Sequence, residues 1–217
     1  MDCTELRNWG KCWTGKASPK VLMGTFSWLP IEIGLRMPKF LIKFPTEDRK
    51  WKKRKFNTPA TYPEFLEGIR YTLAFYGALE KSCGKNRALV IWDKLMKRAG
   101  VEIYEEFLPE AKDFAKCGDP WQTTLVYLRD SFFAMQRDEK VIEYEVVKDT
   151  PDELQFHVSR CAWHDIPCEA GWDYLPPING QVDLEFLPRF AESVGGSFKR
   201  DSWLCKGDKV CDFHFYR

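Results

Sequence analysis

All three histidines and four of the eight cysteines of this 217-residue chain lie between Glu153 and Arg217. The run Leu154-Gln-Phe-His-Val-Ser-Arg-Cys161 alternates apolar and polar residues. Side chains two apart on a strand share a face. Gln155, His157, Ser159 and Cys161 are therefore expected on one face, opposite Leu154, Phe156 and Val158. His164 follows Cys161 by three residues, so a strand-to-helix turn there would bring an imidazole to the thiol. A cysteine beside a histidine is held as the nucleophilic thiolate. The plainer reading of the same residues is a surface histidine and a half-buried cysteine. Farther on, Cys211, Phe213 and Phe215 share the other kind of face, which turns this thiol toward the core. Asp212 and His214 alternate with them, as an acid–base pair or as an exposed cross-strand pair. Asp183 follows Asn179-Gly180 and reads as the N-cap of a short helix over 183–190. From this spacing Cys161, His157 and Asp183 are expected to converge on one pocket, between a sheet and the residues 163–190 that cross it. The alternative is that 163–190 only covers the sheet.

These residues need a scaffold, and the hydrophobic periodicity supplies one. Residues 1–20 read as an irregular arm with Trp9 and Trp13 as anchors, and residues 21–45 as helix in pieces, broken at prolines. Thr61-x-x-Glu64 matches a capping box with Pro63 in the first turn, and Phe65, Ile69, Leu73, Tyr76 and Leu79 recur at helical spacing up to Gly84. A second helix is expected over Arg87 to Ala99, ended by Gly100, and a third over Ile103 to Cys117, kinked near Pro109. Asp119-Pro120 opens a fourth, striped by Leu125, Leu128, Phe132 and Met135. After Arg137 the period becomes that of a strand. Ile142, Tyr144 and Val146 face Leu154, Phe156 and Val158 across a turn at Asp149 to Asp152. Ala162 to Gly171 reads as a short helix, Pro176-Pro177 and Asn179-Gly180 as a loop, and Phe198 to Leu204 with Val210 to Tyr216 as a closing hairpin. The fold class is α+β: an N-terminal helical part, then an antiparallel sheet with a crossing helix or loop segment. We expect one domain over 1–217, with an arm at 1–60, helices at 61–137 and the sheet region with the site at 138–217.

Composition narrows the function. The formal net charge is +1, which argues against a polyanion partner, and the aromatics form no nucleic-acid stacking motif. Only Arg49-Lys-Trp-Lys-Lys-Arg-Lys55 is strongly basic; it reads as a solvated basic turn, or as a contact for phosphates or a partner. Residues 21–44 carry too many charges and prolines for a membrane span. No secretory signal is visible, so a cytoplasmic location with free thiols is expected. C-x-x-C is absent, as are the Walker, dinucleotide-binding, serine-hydrolase and zincin motifs. No cofactor is expected on these grounds.

The run Val158-Ser-Arg-Cys161, then Asp183, Phe198-x-Arg200 and Gly207-x-x-x-Cys211-Asp212-Phe213 resembles the L-2-amino-thiazoline-4-carboxylic acid hydrolase family. That family shows V-T-R-C, a later C-x-x-D and a terminal G-x-x-x-C-D-F. Cys161, Asp183, Cys211, Asp212 and Phe213 match. Gly180 stands where the family usually has the cysteine of C-x-x-D, His157 where an asparagine is common, and His214 where a basic residue is frequent. The resemblance implies a hydrolase acting on a small heterocyclic substrate of the thiazoline or cyclic-amidine type, adding water at a C=N carbon and opening the ring. Joined to the reading of the residues above, it makes Cys161 the expected nucleophile or substrate-contacting thiol and Asp183 the orienting carboxylate; His164 or His157 is the candidate base from spacing alone, and Cys211, Asp212 and His214 are the candidate substrate contacts. The layout is also similar to vinyl-reductase-type ligand-binding domains, some of which hold zinc through cysteines. On that reading the chain binds without catalysis, and Cys161, Cys168, Cys205, Cys211 and a histidine are the zinc ligands. Neither reading specifies the oligomeric state.

Overall fold

The computed structural model describes residue 29 and residues 31–217. The expected arm at 1–20, with Trp9 and Trp13, and the start of the apolar segment lie outside the described residues. Helix α1 (Met37–Lys53) starts with a proline in its first turn, and runs on through Pro45. The basic run ends this helix. Its Trp51 is buried, and the indole donates to the buried Glu47 carboxylate at 3.2 Å, while Lys50 and Arg54 lie over the ring.

Helix α2 (Pro63–Cys83) buries Phe65, Ile69, Leu73, Tyr76 and Leu79, the stripe expected from its spacing. The capping box does not form. Tyr62 is the N-cap and makes no side-chain cap, and the Thr61 amide instead donates to the Glu139 carbonyl at 3.2 Å. Gly84, at φ 81°, ends α2 in a conformation that disfavours any side chain. Helix α3 (Lys85–Phe107) does not stop at Gly100 but runs through it. The chain then breaks around Pro109 before the short α4 (Ala111–Ala115). Helix α5 (Pro120–Arg137) is capped by Asp119, whose carboxylate accepts from the Gln122 amide at 2.9 Å.

Strands β1 (Ile142–Thr150) and β2 (Glu153–Cys161) form the expected hairpin, with Thr150 paired to Glu153 around Pro151 and Asp152. Helix α6 (Ala162–Glu169) follows at once, then α7 (Leu175–Ser193), β3 (Ser197–Lys199) and β4 (Cys211–Tyr216). The sheet is antiparallel, in the order β1-β2-β4-β3. The fold is therefore α+β, with helices mostly N-terminal and the sheet after them. Its apolar face, with Leu154, Phe156, Val158, Phe198 and Phe215, belongs to the buried core that α5 and α7 complete. Phe132 of α5 stacks on Phe156 at 4.3 Å.

Two expectations fail around the site. Pro176-Pro177 and Asn179-Gly180 are not a loop but the first turns of α7. Proline is tolerated in the first helical turn because its missing N–H has no intrahelical partner there. Asp183 accordingly sits inside α7 and caps nothing. The closing hairpin is real but short: only Ser197 to Lys199 pair with β4, and a 3₁₀ turn at Leu204–Lys206 lies in the connection. Among the described residues no helix is long and apolar enough to cross a membrane.

Candidate active site

The site forms where α6, α7 and the β3–β4 connection meet the end of β2. Cys161 reaches it through an irregularity in the sheet. Tyr144 pairs with Val158 and Glu143 with Arg160, so Ser159 is an extra residue in β2. A bulge of one residue reverses the side-chain parity beyond it. Arg160 takes the outer side, where its guanidinium binds Glu143 at 2.8 Å, and Cys161 pairs with the buried Ile142. The expected shared face of His157 and Cys161 is thereby overturned.

Cys161 is also the N-cap position of α6. Burial pushes its thiol up to about 12, while the backbone N–H groups of His164 and Trp163 pull the other way. The Cys211 and Asp183 charges add to the upward shift. These residues thus belong to one electrostatic neighbourhood.

Asp183 is held from both sides. Its Oδ1 accepts from the Tyr104 hydroxyl, and its Oδ2 pairs with Arg200 Nη1 at 2.8 Å. Burial raises the Tyr104 pKa well above its ordinary value, and the Asp183 charge and hydrogen bond add to this. The Arg200 side chain is 5% exposed. Burial disfavours its charge, but Asp183, Cys211 and Tyr104 together more than offset that, and the guanidinium stays protonated. Its plane lies over Phe213 at 4.1 Å and Trp203 at 4.9 Å, and Nη1 also donates to the Gly180 carbonyl at 3.3 Å. The Cys211 thiol accepts from the Leu204 amide at 3.2 Å. Burial raises its pKa, with Arg200 opposing. Cys205 is raised by burial too, and its sulfur lies 3.7 Å from where a Cβ on Gly180 would stand.

Helix α7 is set in place by close fits to α3. Trp92 donates to Asn179 at 3.0 Å, Tyr104 stacks on Phe186 at 4.9 Å, and Gly100 leaves room for Val182.

The histidines lie elsewhere. His164 binds Asp165 through Nδ1 at 2.9 Å and faces the Cys168 sulfur through Nε2 at 3.8 Å, one helical turn along α6 and not toward Cys161. His157 stands on the outer face of the sheet, 3.7 Å from both Asp212 and Glu145. Asp212 accepts from Gln155 at 2.9 Å, and His214 meets Glu153. Asp212 and His214 therefore each have another partner, on the face opposite Cys211. Of the residues singled out from the sequence, Cys161, Asp183 and Cys211 come together; His157, His164, Asp212 and His214 do not join them. Cys83, Cys161, Cys168, Cys205 and Cys211 are free thiols, but Cys117 is disulfide-bonded, against the expectation of free thiols throughout. Among the described residues no three His, Cys, Asp or Glu side chains are placed to hold a metal ion.

Tyr104 and Arg200 were given no role from the sequence. Arg200 carried a signal, since it stands two residues beyond Phe198 and by strand period shares the core face. A charge there requires a buried partner. Tyr104 carried none, because its spacing is that of any core aromatic.

The model of the L-2-amino-thiazoline-4-carboxylic acid hydrolase family matches residues 66–215. The chain belongs to that family. The matched segment holds Tyr104, Cys161, Asp183, Arg200 and Cys211, and family membership carries a hydrolase-like function. No curated protein and no solved structure matches the chain.

Proposed function

We propose that the chain hydrolyses a small heterocycle of the thiazoline or cyclic-amidine type, with Cys161 as nucleophile and Asp183 as the carboxylate that holds the substrate nitrogen. One observation carries this reading. The buried Cys161 thiol feels the charge of Asp183 in the Tyr104–Asp183–Arg200 network, and it stands at the start of a helix whose N–H groups favour its thiolate.

No imidazole serves Cys161, and its thiol is a weak acid, so the proton goes to the substrate. The imine-type nitrogen of a cyclic amidine is itself basic. As Sγ bonds to the C=N carbon, the thiol proton passes to that nitrogen and the π pair with it. The ring then opens: the carbon keeps its bond to Sγ, and the ring sulfur or nitrogen leaves with a proton. Water adds at the same carbon, the Sγ–carbon bond breaks, and a proton from water returns to the thiol. The net change is one water consumed and one ring bond cleaved. Helix N–H groups favour the developing thiolate at each departure. Asp183, held by Tyr104 and Arg200, accepts from the substrate N–H without rotating, which keeps the reacting carbon over Sγ.

The test is turnover of a panel of thiazolines and cyclic amidines, followed by mass spectrometry. Wild-type protein is expected to convert at least one with the gain of one water. Cys161→Ala, shown to be folded by circular dichroism, is expected to lose about a thousandfold or more, the scale on which a nucleophile's removal is felt. Unchanged turnover in that variant would take Cys161 out of the mechanism.

A further inference from the structure

The charge of this chain is unevenly placed. Its formal net charge is +1, yet nine lysines and arginines and only two carboxylates lie between Arg36 and Lys55, along α1 and its ends. Both carboxylates are already engaged, Glu47 by Lys50 and Lys81 and Asp48 by Lys52. The excess of cations is open to an outside anion. The same helix holds apolar side chains out in water. Its inner face buries Phe40, Glu47 and Trp51. Pro38, Leu41, Ile42 and Pro45, at i, i+3, i+4 and i+7, are exposed. Leu35 at 102%, Ile31 at 79%, Ile42 at 71% and Leu41 at 61% are the most exposed large hydrophobics among the described residues. A single exposed apolar side chain means little, but a row of them marks a surface that is covered in use. Beside Leu35 is an open hollow lined by Arg36, Cys83, Gly84, Lys85, Asn86 and Arg87. Burial pushes the Cys83 thiol up and Arg36, Arg87 and Lys39 oppose it, so the Lys39 charge acts on the same hollow.

We propose that the outer face of α1 and the turn before it lie on an anionic lipid bilayer, with Leu35, Leu41 and Ile42 in the acyl boundary and the surrounding cations on lipid phosphates. A helix that rests in a membrane surface joins an apolar row to lysines and arginines and lies in the plane rather than crossing it. That agrees with the absence, among the described residues, of a helix fit to cross. Arg36, Lys39, Lys85 and Arg87 surround one end of the apolar row, and the exposed Arg49 and Lys53 continue the face beyond Pro45. Apolar insertion and attraction to anionic headgroups are each weak alone and act together here. A second copy of the chain fits the face worse, because a two-fold contact would set these cations against one another. A nucleic acid would leave Leu35 and Ile42 in water. Helix α1 precedes residues 66–215, the span the family model matches, so this surface stands apart from the hydrolase reading.

The experiment is cosedimentation of the full chain with vesicles of phosphatidylcholine alone, and of phosphatidylcholine with an equal part of phosphatidylserine. The mixed vesicles are expected to be bound at least about tenfold more tightly than the neutral ones, and raising the salt from about 0.05 to about 0.5 M is expected to erase most of that difference. Leu35→Ser with Ile42→Ser is expected to weaken binding to the mixed vesicles about tenfold or more, since each change removes apolar area from the acyl boundary. Both side chains are exposed, so the fold does not depend on them. Lys39→Glu with Arg49→Glu is expected to abolish the preference for the anionic lipid. Val146→Ser with Val147→Ser, exposed as well but on β1, is expected to bind as wild type does. No binding to the mixed vesicles, equal binding to both kinds, undiminished binding by Leu35→Ser with Ile42→Ser, or a preference that survives Lys39→Glu with Arg49→Glu overturns the proposal. So does a dimer in sedimentation velocity that Leu35→Ser with Ile42→Ser dissolves, which assigns the face to a second copy.

Discussion

Replacing Gly100 with alanine tests whether the α3–α7 crossing positions the site. Two effects oppose. Alanine is about 1 kcal/mol better than glycine inside a helix. Against that, a Cβ at Gly100 would lie 2.6 Å from both Cγ atoms of Val182. Carbon atoms rest about 3.5–4.0 Å apart, so the methyl intrudes by roughly an ångström. The neighbour cannot yield cheaply. Valine in a helix has one strongly preferred rotamer, and here both its methyl groups flank the intruder. Val182 is buried, and the next residue is Asp183. Overpacking of this kind costs about 1–3 kcal/mol. The net expectation is a loss of up to about 2 kcal/mol in urea unfolding of Gly100→Ala, read by linear extrapolation. Val182→Ala opens the space, so the double variant should be more stable than the sum of the singles by about 1 kcal/mol or more. Strict additivity, or a Gly100→Ala protein more stable than wild type, would refute the claim that these helices touch at Gly100.

The same substitution at Gly180 should have the opposite sign. Its Cβ would meet Trp203 at 3.4 Å and Cys205 at 3.7 Å, ordinary contacts, so Gly180→Ala is expected to stabilise by about 0.5–1 kcal/mol in the same urea assay; a loss would mean that Trp203 packs more tightly than this. Glu139 offers a pH test. It is buried, and burial followed by the Asp138 charge lifts its carboxyl to about 7 from an ordinary 4.5. Between those values the folded state binds more protons than the unfolded one, so this group's contribution to stability falls as pH rises through the window. The full cost is present above the window. Glu139→Gln should therefore be more stable than wild type at pH 8 and lose that advantage by pH 4, and a pH-independent difference in urea midpoints would contradict the burial argument.

Local patterns determined much of this protein. Helical spacing placed the buried stripes of α2 and α5, and strand alternation placed Leu154, Phe156 and Val158 on the core face. The turn at Pro151-Asp152 followed from its residues. These features depend on neighbours within a few positions, and such periodicities are written into the chain. The motif residues Cys161, Asp183 and Cys211 were legible too, through their family pattern. Tertiary structure decided their use. A single extra residue at Ser159 reverses the parity of β2, and whether a strand bulges depends on its partner strand; Cys161 thus turned inward, away from His157. Pro176-Pro177 and Asn179-Gly180 read as a loop by composition, yet packing of α7 on Trp92, Gly100 and Trp203 outweighs their weak helical propensity. Gly100 ends a helix by rule and instead marks where another helix crosses. Tyr104 and Arg200 meet Asp183 from distant parts of the chain, and no local pattern encodes a meeting that only the packed core brings about.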